Sequence, residues 1–179
     1  MASPTALYRF RIELADIDHS RYESLDFRVA QHPSETLPFL LTRGLAFSLN
    51  AQDGLEFSAG GLSDPDAPCM SVASGRGGTA LWIEVGNPST RKLHKAAKAA
   101  DRVRVYTYKN ADLLLREMTN DQVHKADTID VSSFRSDFLS ALGDWLEREN
   151  RWSLTLLDGS LTLTSGEKTV STTLEQHRI

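Results

Sequence analysis

Residues 6–18 alternate in character. Leu7, Arg9, Arg11 and Glu13 fall on one side and Tyr8, Phe10, Ile12 and Leu14 on the other, the period-two spacing of a strand with one buried face. Leu25, Phe27 and Val29 against Asp26 and Arg28 repeat the pattern, so 22–31 is expected to pair back as a hairpin. The period then changes. Leu37, Leu40, Leu41, Gly44, Leu45 and Ser48 share one helical face, which predicts a helix over 34–50 entered at Pro33-Ser34, with Pro38 in its first turn. A short strand follows at Leu55-Glu56-Phe57, and residues 60–78 hold the turn formers of a long loop. Ala80-Leu81-Trp82-Ile83-Glu84-Val85 is nearly all apolar, the mark of a strand buried on both faces. A helix is predicted from Asn87-Pro88-Ser89 to about Ala100 and a strand over 103–108. Strand–helix–strand implies a parallel pair with a right-handed crossover, and helix 34–50 is expected on the same sheet. Helices at 110–119 and 133–148 come next, then a hairpin turning at Asp158-Gly159. The last dozen residues read as a tail.

This pattern describes one mixed α/β domain over 1–179, and composition narrows what it can be. The chain has 179 residues, 40% hydrophobic and 25% charged, in the range of globular proteins. Its net charge is −4, so any attraction to nucleic acid must come from a local basic patch. Cys69 is the only cysteine, which excludes an intrachain disulfide scaffold. Arg9, Arg11 and Glu13 interrupt the apolar run that a secretory leader needs, and the longest uncharged apolar run, 36–42, is far short of a bilayer span. The expected location is cytoplasmic, with no membrane partner.

Two features carry candidate chemistry. Glu84 is the one ionisable residue of its apolar strand, and Asp64-Pro65-Asp66 is expected to close the short strand before it. Burying a lone carboxylate is costly unless it is paired or bound to metal. Carboxylates from neighbouring strand ends make the oxygen-only, partly hydrated site that Mg²⁺ prefers, and such an ion can activate water against a phosphodiester. The plainer reading has Glu84 paired with Arg104 across the sheet and the Asp residues capping turns. The second feature is basic. Residues 91–109 hold seven Lys and Arg against Asp101 alone, a surplus of six. Arg91, Lys95 and Lys98 share one helical face and could track a nucleic-acid backbone; a solvated helix face is the ordinary meaning of such a stripe. Other signatures fail. Gly75-Arg76-Gly77-Gly78 lacks the Lys-Ser/Thr of a phosphate loop, the five histidines have no metal-ligand spacing, and no GxSxG elbow occurs. Trp82, Trp145 and Trp152 sit in apolar patterns and read as core.

Six segments carry a resemblance along nearly the whole chain. They are Gln31-His32-Pro33-Ser34-Glu35-Thr36, Leu45-Ala46-Phe47-Ser48-Leu49-Asn50-Ala51, Gly61-Leu62-Ser63-Asp64-Pro65-Asp66, Leu81-Trp82-Ile83-Glu84-Val85-Gly86, Arg91-Lys92-Leu93-His94-Lys95-Ala96 and Tyr106-Thr107-Tyr108. In this order they resemble the YaeQ family, a bacterial group with no established activity. The resemblance implies a variant of the PD-(D/E)XK, restriction-endonuclease-like fold: a mixed sheet flanked by helices, here with added β-hairpins. It also implies a site: an acid ending one strand, then an acid and a lysine on the next. Asp64 or Asp66 matches the first acid and Glu84 the second, as metal ligands for Mg²⁺. The lysine position, two after Glu84, is Gly86. Lys92 or Lys95 of the next helix could replace it, as in some members, and Glu35 stands where others recruit a further acid. Mg²⁺-dependent nucleic-acid hydrolysis is the implied activity. The alternative is an inactive nuclease-fold module that binds a nucleic-acid or protein partner.

Overall fold

The computed structural model describes residues 5–179. The chain divides into two compact units: Phe134–Leu174 with the described residues up to Ala51, and Gln52–Ser133 with Glu175–Ile179.

In the first unit β1 (Ala6–Asp16) and β2 (Arg21–Gln31) form the expected antiparallel hairpin, Phe10 facing Phe27 and Ile12 facing Leu25. Further along the chain, β8 (Glu149–Leu157), β9 (Ser160–Ser165) and β10 (Lys168–Thr173) complete a mixed sheet ordered β10-β9-β8-β1-β2, in which β8 runs parallel to β1. The tight turn at Asp158-Gly159 has positive φ at both residues, 50° and 73°, the backbone that matches hairpin twist. Helix α1 (Leu37–Leu49) starts later than the apolar pattern suggested. Thr36 caps it by accepting from the Phe39 N–H, Pro38 sits in the first turn, and the preceding residues are tied up in side-chain contacts described below. It packs on β1, β2 and α4 (Ser136–Trp145), whereas the apolar pattern placed it on the sheet of residues 80–85. Periodicity marks which helix face is buried, not the sheet that buries it. Phe10 packs edge-on against Trp152 at 5.1 Å inside this unit.

The second unit holds β3 (Leu55–Phe57), β4 (Met70–Ala73), β5 (Thr79–Val85), β6 (Ala100–Thr107), β7 (Asp130–Ser133) and β11 (Glu175–His177) in the order β11-β7-β6-β5-β4-β3. β5 and β6 are adjacent and parallel, joined through α2 (Thr90–Ala99), as the sequence predicts; β7 continues the parallel run. The β3-β4-β5 segment is an antiparallel meander. Trp82, Leu93, Ala96, Val105, Leu114 and Met118 form a buried cluster between this sheet and α2 and α3 (Ala111–Asn120). Burying Leu93, Val105, Leu114 and Met118 stabilises the unit by roughly 1.5–3 kcal/mol each.

Four strands fall where strands were not expected. β4 lies inside the stretch read as loop, β7 between the helices expected at 110–119 and 133–148, meeting the second only at Ser133, and β10 and β11 in the stretch read as tail. Each is short or rich in Ser and Thr, so its alternation carries little hydrophobic contrast. The fold is thus a mixed α/β arrangement with two mixed sheets flanked by helices. No helix among the described residues is long and apolar enough to cross a membrane.

Candidate functional site

Strand alternation puts Trp82 and Glu84, two residues apart, on the same face of β5. Trp82 fills the core beneath α2, so Glu84 is carried inward beside it, and its side chain is 2% exposed. After Val85 the chain must leave the sheet. Gly86 adopts φ 81°, in the left-handed region open to glycine, while its N–H still bonds the Tyr106 carbonyl. Ser89 then caps α2 by accepting from the Lys92 N–H, which fixes Lys92 in the first turn. Side chains tilt toward a helix N-terminus, so Lys92 reaches back over the end of β5.

Three donors converge on the Glu84 carboxylate. Lys92 Nζ lies 3.1 Å from Oε2, the Trp82 indole Nε1–H donates to Oε1 at 2.7 Å, and the Cys69 thiol donates to Oε2 at 3.6 Å. Burial is the largest influence on its acidity and pushes the carboxyl above its ordinary pKa; the Lys92 charge and the hydrogen bonds pull it down without cancelling that rise. The cause of the rise is desolvation, not repulsion by a second acid. The plainer reading pairs Glu84 with Arg104; its basic partner is Lys92 instead, and Arg104 stands opposite Ile83 in the β5–β6 register.

Asp66 is placed differently from its expected position at a strand end. It lies in the loop between β3 and β4, well past Phe57 and shortly before Met70. Asp64 Oδ1 accepts from the Asp66 N–H at 3.0 Å, an Asx turn. The Asp66 carboxylate is 3.8 Å from Lys95 Nζ and 3.9 Å from Arg91 Nη2, and Lys95 also donates to its main-chain oxygen at 3.4 Å. Successive lysines of α2 therefore take separate acids: Lys92 the buried Glu84, Lys95 the exposed Asp66. Arg91, Lys95 and Lys98 all lie on the exposed side of α2.

Glu35 belongs to the other unit and is committed there. Arg43 grips both its oxygens at 2.6 and 2.7 Å, and the His32 N–H bonds Oε1 at 3.1 Å, with both side chains almost fully buried. This pair braces the entry to α1, since Arg43 also donates to the Ala30 carbonyl at the end of β2.

The sequence expectation names Asp64, Asp66, Glu84 and Glu35 for Mg²⁺. Among the described residues no three His, Cys, Asp or Glu side chains gather as a metal cluster. Both Glu84 oxygens accept from protein donors, and an ammonium group stands where a cation ligand sphere would form. As arranged, this donor set does not fit a resident Mg²⁺, which needs several open oxygen ligands. Two participants were missed by sequence reasoning. Trp82 was read as core alone, although its i, i+2 relation to Glu84 was a usable signal; Cys69 joins because its N–H pairs with the Ile83 carbonyl, which sets it beside Glu84.

Comparison with known proteins gives one consistent answer. The family model described as YaeQ protein matches residues 1–174. The chain is 28% identical over 164 residues to the uncharacterised YaeQ protein of Salmonella typhi, covering 91% of this chain and 90% of that one. It is 33% identical over 108 residues to the Escherichia coli K12 protein of the same description, covering 60% and 59%. The crystal structure of a YaeQ protein from Xanthomonas axonopodis pv. citri superposes with a TM-score of 0.88 at 28% identity, over 98% of this chain and 99% of that one. A YaeQ structure from Pseudomonas syringae gives 0.87 at 26% identity, over 98% and 97%.

Proposed function

The chain belongs to the YaeQ family, and we propose that it is a PD-(D/E)XK-type, nuclease-fold module that binds nucleic-acid phosphates along α2 without hydrolysing them. One observation carries this reading: the buried Glu84 is closed by Lys92, Trp82 and Cys69, so the site is neutral where a hydrolytic site needs open carboxylate oxygens for a metal. What remains available to a ligand is positive. Arg91, Lys95 and Lys98 are exposed along α2, and a stripe of that spacing attracts phosphates even on an acidic protein.

Magnesium-dependent hydrolysis is the second reading, and a different observation favours it. Lys92 supplies, from α2, the ammonium that the motif lysine would place beside the second acid, which makes up for Gly86. That reading requires the Glu84–Lys92 pair to open.

One set of assays separates the two. Labelled DNA and RNA oligonucleotides are titrated across a salt series with the wild type and with Lys95→Glu/Lys98→Glu. The binding reading expects the salt slope to fall by about 0.7–0.9 for each phosphate that the variant no longer neutralises. Unchanged binding in the double variant returns the stripe to a solvated face. Incubation of the same oligonucleotides with Mg²⁺ or Mn²⁺ is expected to leave them intact. Cleavage that disappears in Glu84→Gln makes the hydrolytic reading the right one.

A further inference from the structure

The stripe on α2 already holds an anion of its own. The same Asp66 atom, Oδ1, lies 3.9 Å from Arg91 Nη2 and 3.8 Å from Lys95 Nζ. Residues four apart on a helix stand one turn apart, with Cβ atoms about 5–6 Å from each other, so one small anion can bridge them. Among the described residues, Asp66 is the one carboxylate within 4 Å of Arg91, Lys95 or Lys98.

This contact differs from the closed pairs described above. Lys92–Glu84 and Arg43–Glu35 are short, at 3.1 and 2.6 Å, and their carboxylates are buried. The Asp66 carboxylate is 55% exposed, and its distances exceed direct hydrogen-bond contact. Exposed pairs of this kind are weak and yield easily to competing anions or salt. The loop does not depend on the carboxylate. The Asp66 N–H is held by Asp64, and its main-chain oxygen accepts from Lys95.

We infer that Asp66 is an internal stand-in for phosphate: its carboxylate occupies the position between Arg91 and Lys95 that a nucleic-acid phosphate takes, and it must be displaced for α2 to bind. The inference rests on the nucleic-acid reading above. It adds a regulated affinity to that reading: the loop between β3 and β4 sets how tightly α2 holds a phosphate backbone.

The test is a binding cycle with a labelled single-stranded DNA oligonucleotide at low salt, read by fluorescence anisotropy. Asp66→Asn keeps the loop's main-chain contacts and removes the competing charge, so binding should tighten by about two- to fivefold, the upper range of one weak surface pair. In an Arg91→Gln/Lys95→Gln background the same substitution should change binding less than twofold, because the position it vacates no longer has its cations. Binding by Asp66→Asn where the wild type binds too weakly to measure also supports the inference. If the wild type binds and Asp66→Asn binds equally or more weakly, the inference falls and the nucleic-acid reading stands. A gain that persists in the Arg91→Gln/Lys95→Gln background overturns it as well, since the effect is then one of overall charge. If neither protein binds at low salt, the nucleic-acid reading itself is wrong and the inference falls with it.

Discussion

Removing the ammonium from the closed pair gives the sharpest test of how Glu84 is held. Lys92→Met keeps the aliphatic stem and deletes the charge 3.1 Å from Glu84 Oε2. Breaking a buried pair by removing one partner typically costs about 3–5 kcal/mol. Two features reduce that here. The Lys92 side chain is 18% exposed, so solvent screens part of the attraction. Glu84 can also escape by taking up a proton, at about 1.4 kcal/mol for each pH unit above its ordinary pKa, or roughly 3.7 kcal/mol at pH 7. The expected loss is therefore about 2–3 kcal/mol at pH 8, shrinking below about 1 kcal/mol at pH 5.

The direction follows from where the carboxyl titrates. Burial already holds the folded-state pKa of Glu84 above its unfolded value, so its contribution to stability is fully present below the unfolded pKa and is lost as pH rises through the folded one. Without Lys92 the folded value rises further, and the decline extends to higher pH. Urea unfolding at pH 5, 6, 7 and 8 measures this directly, with an unchanged m-value showing that the unfolded state is not the cause. The double variant Glu84→Gln/Lys92→Met should recover most of the loss at pH 8, since the amide oxygen can still accept from Trp82. A loss that is the same at every pH, or under about 0.5 kcal/mol at pH 8, refutes this account of the pair.

Three further substitutions test neighbouring claims. Trp82→Phe removes the indole donor to Oε1 and should cost about 1–3 kcal/mol in urea unfolding at pH 7, with the steepest decline at high pH; a neutral effect means that the hydrogen bond is not holding Glu84. Arg43→Met leaves Glu35 buried with the His32 N–H as its remaining described donor and should cost about 3–5 kcal/mol, and addition of Mg²⁺ should not restore stability. Gly86→Ala should cost about 1–2 kcal/mol because φ is 81° there; an unchanged unfolding midpoint means that the strand end relaxes freely.

Much of the fold could be read from the chain, and the reasons are local. The β1–β2 hairpin, β5, α2 and the hairpin turning at Asp158-Gly159 have strong periodicity or turn chemistry, and they appear where the pattern places them. The parallel β5–β6 pair followed from the strand–helix–strand order alone. Three of the four missed strands share a cause. β4 and β7 have four residues each and β11 three, and a strand that short is defined by its neighbour's hydrogen bonds more than by its own pattern. The site was legible as a set of residues and not as a set of pairings. Glu84 and Lys92 were both candidates and do meet; Glu35 was a candidate too, but Arg43 sits eight residues further along the same segment and claims it.

Gly86 explains why the lysine beside Glu84 comes from a helix. A motif lysine two residues after the acid would need position 86 to remain in extended strand geometry, pointing to the same face as Glu84. In this chain β5 ends at Val85, and Gly86 turns at φ 81° to enter Asn87-Pro88-Ser89, the cap of α2. A side chain at 86 would be strained by the backbone before its chemistry mattered. The early turn brings the start of α2 close to the strand end, and Lys92, in its first turn, lies within reach of the buried carboxylate. Sequence register alone therefore reads the position as a missing lysine. Backbone geometry shows that the lysine beside Glu84 is Lys92 of α2, which closes the acid. The ammonium and a metal ion cannot hold the same carboxylate oxygens at once, so a metal can reach Glu84 only when the pair with Lys92 opens.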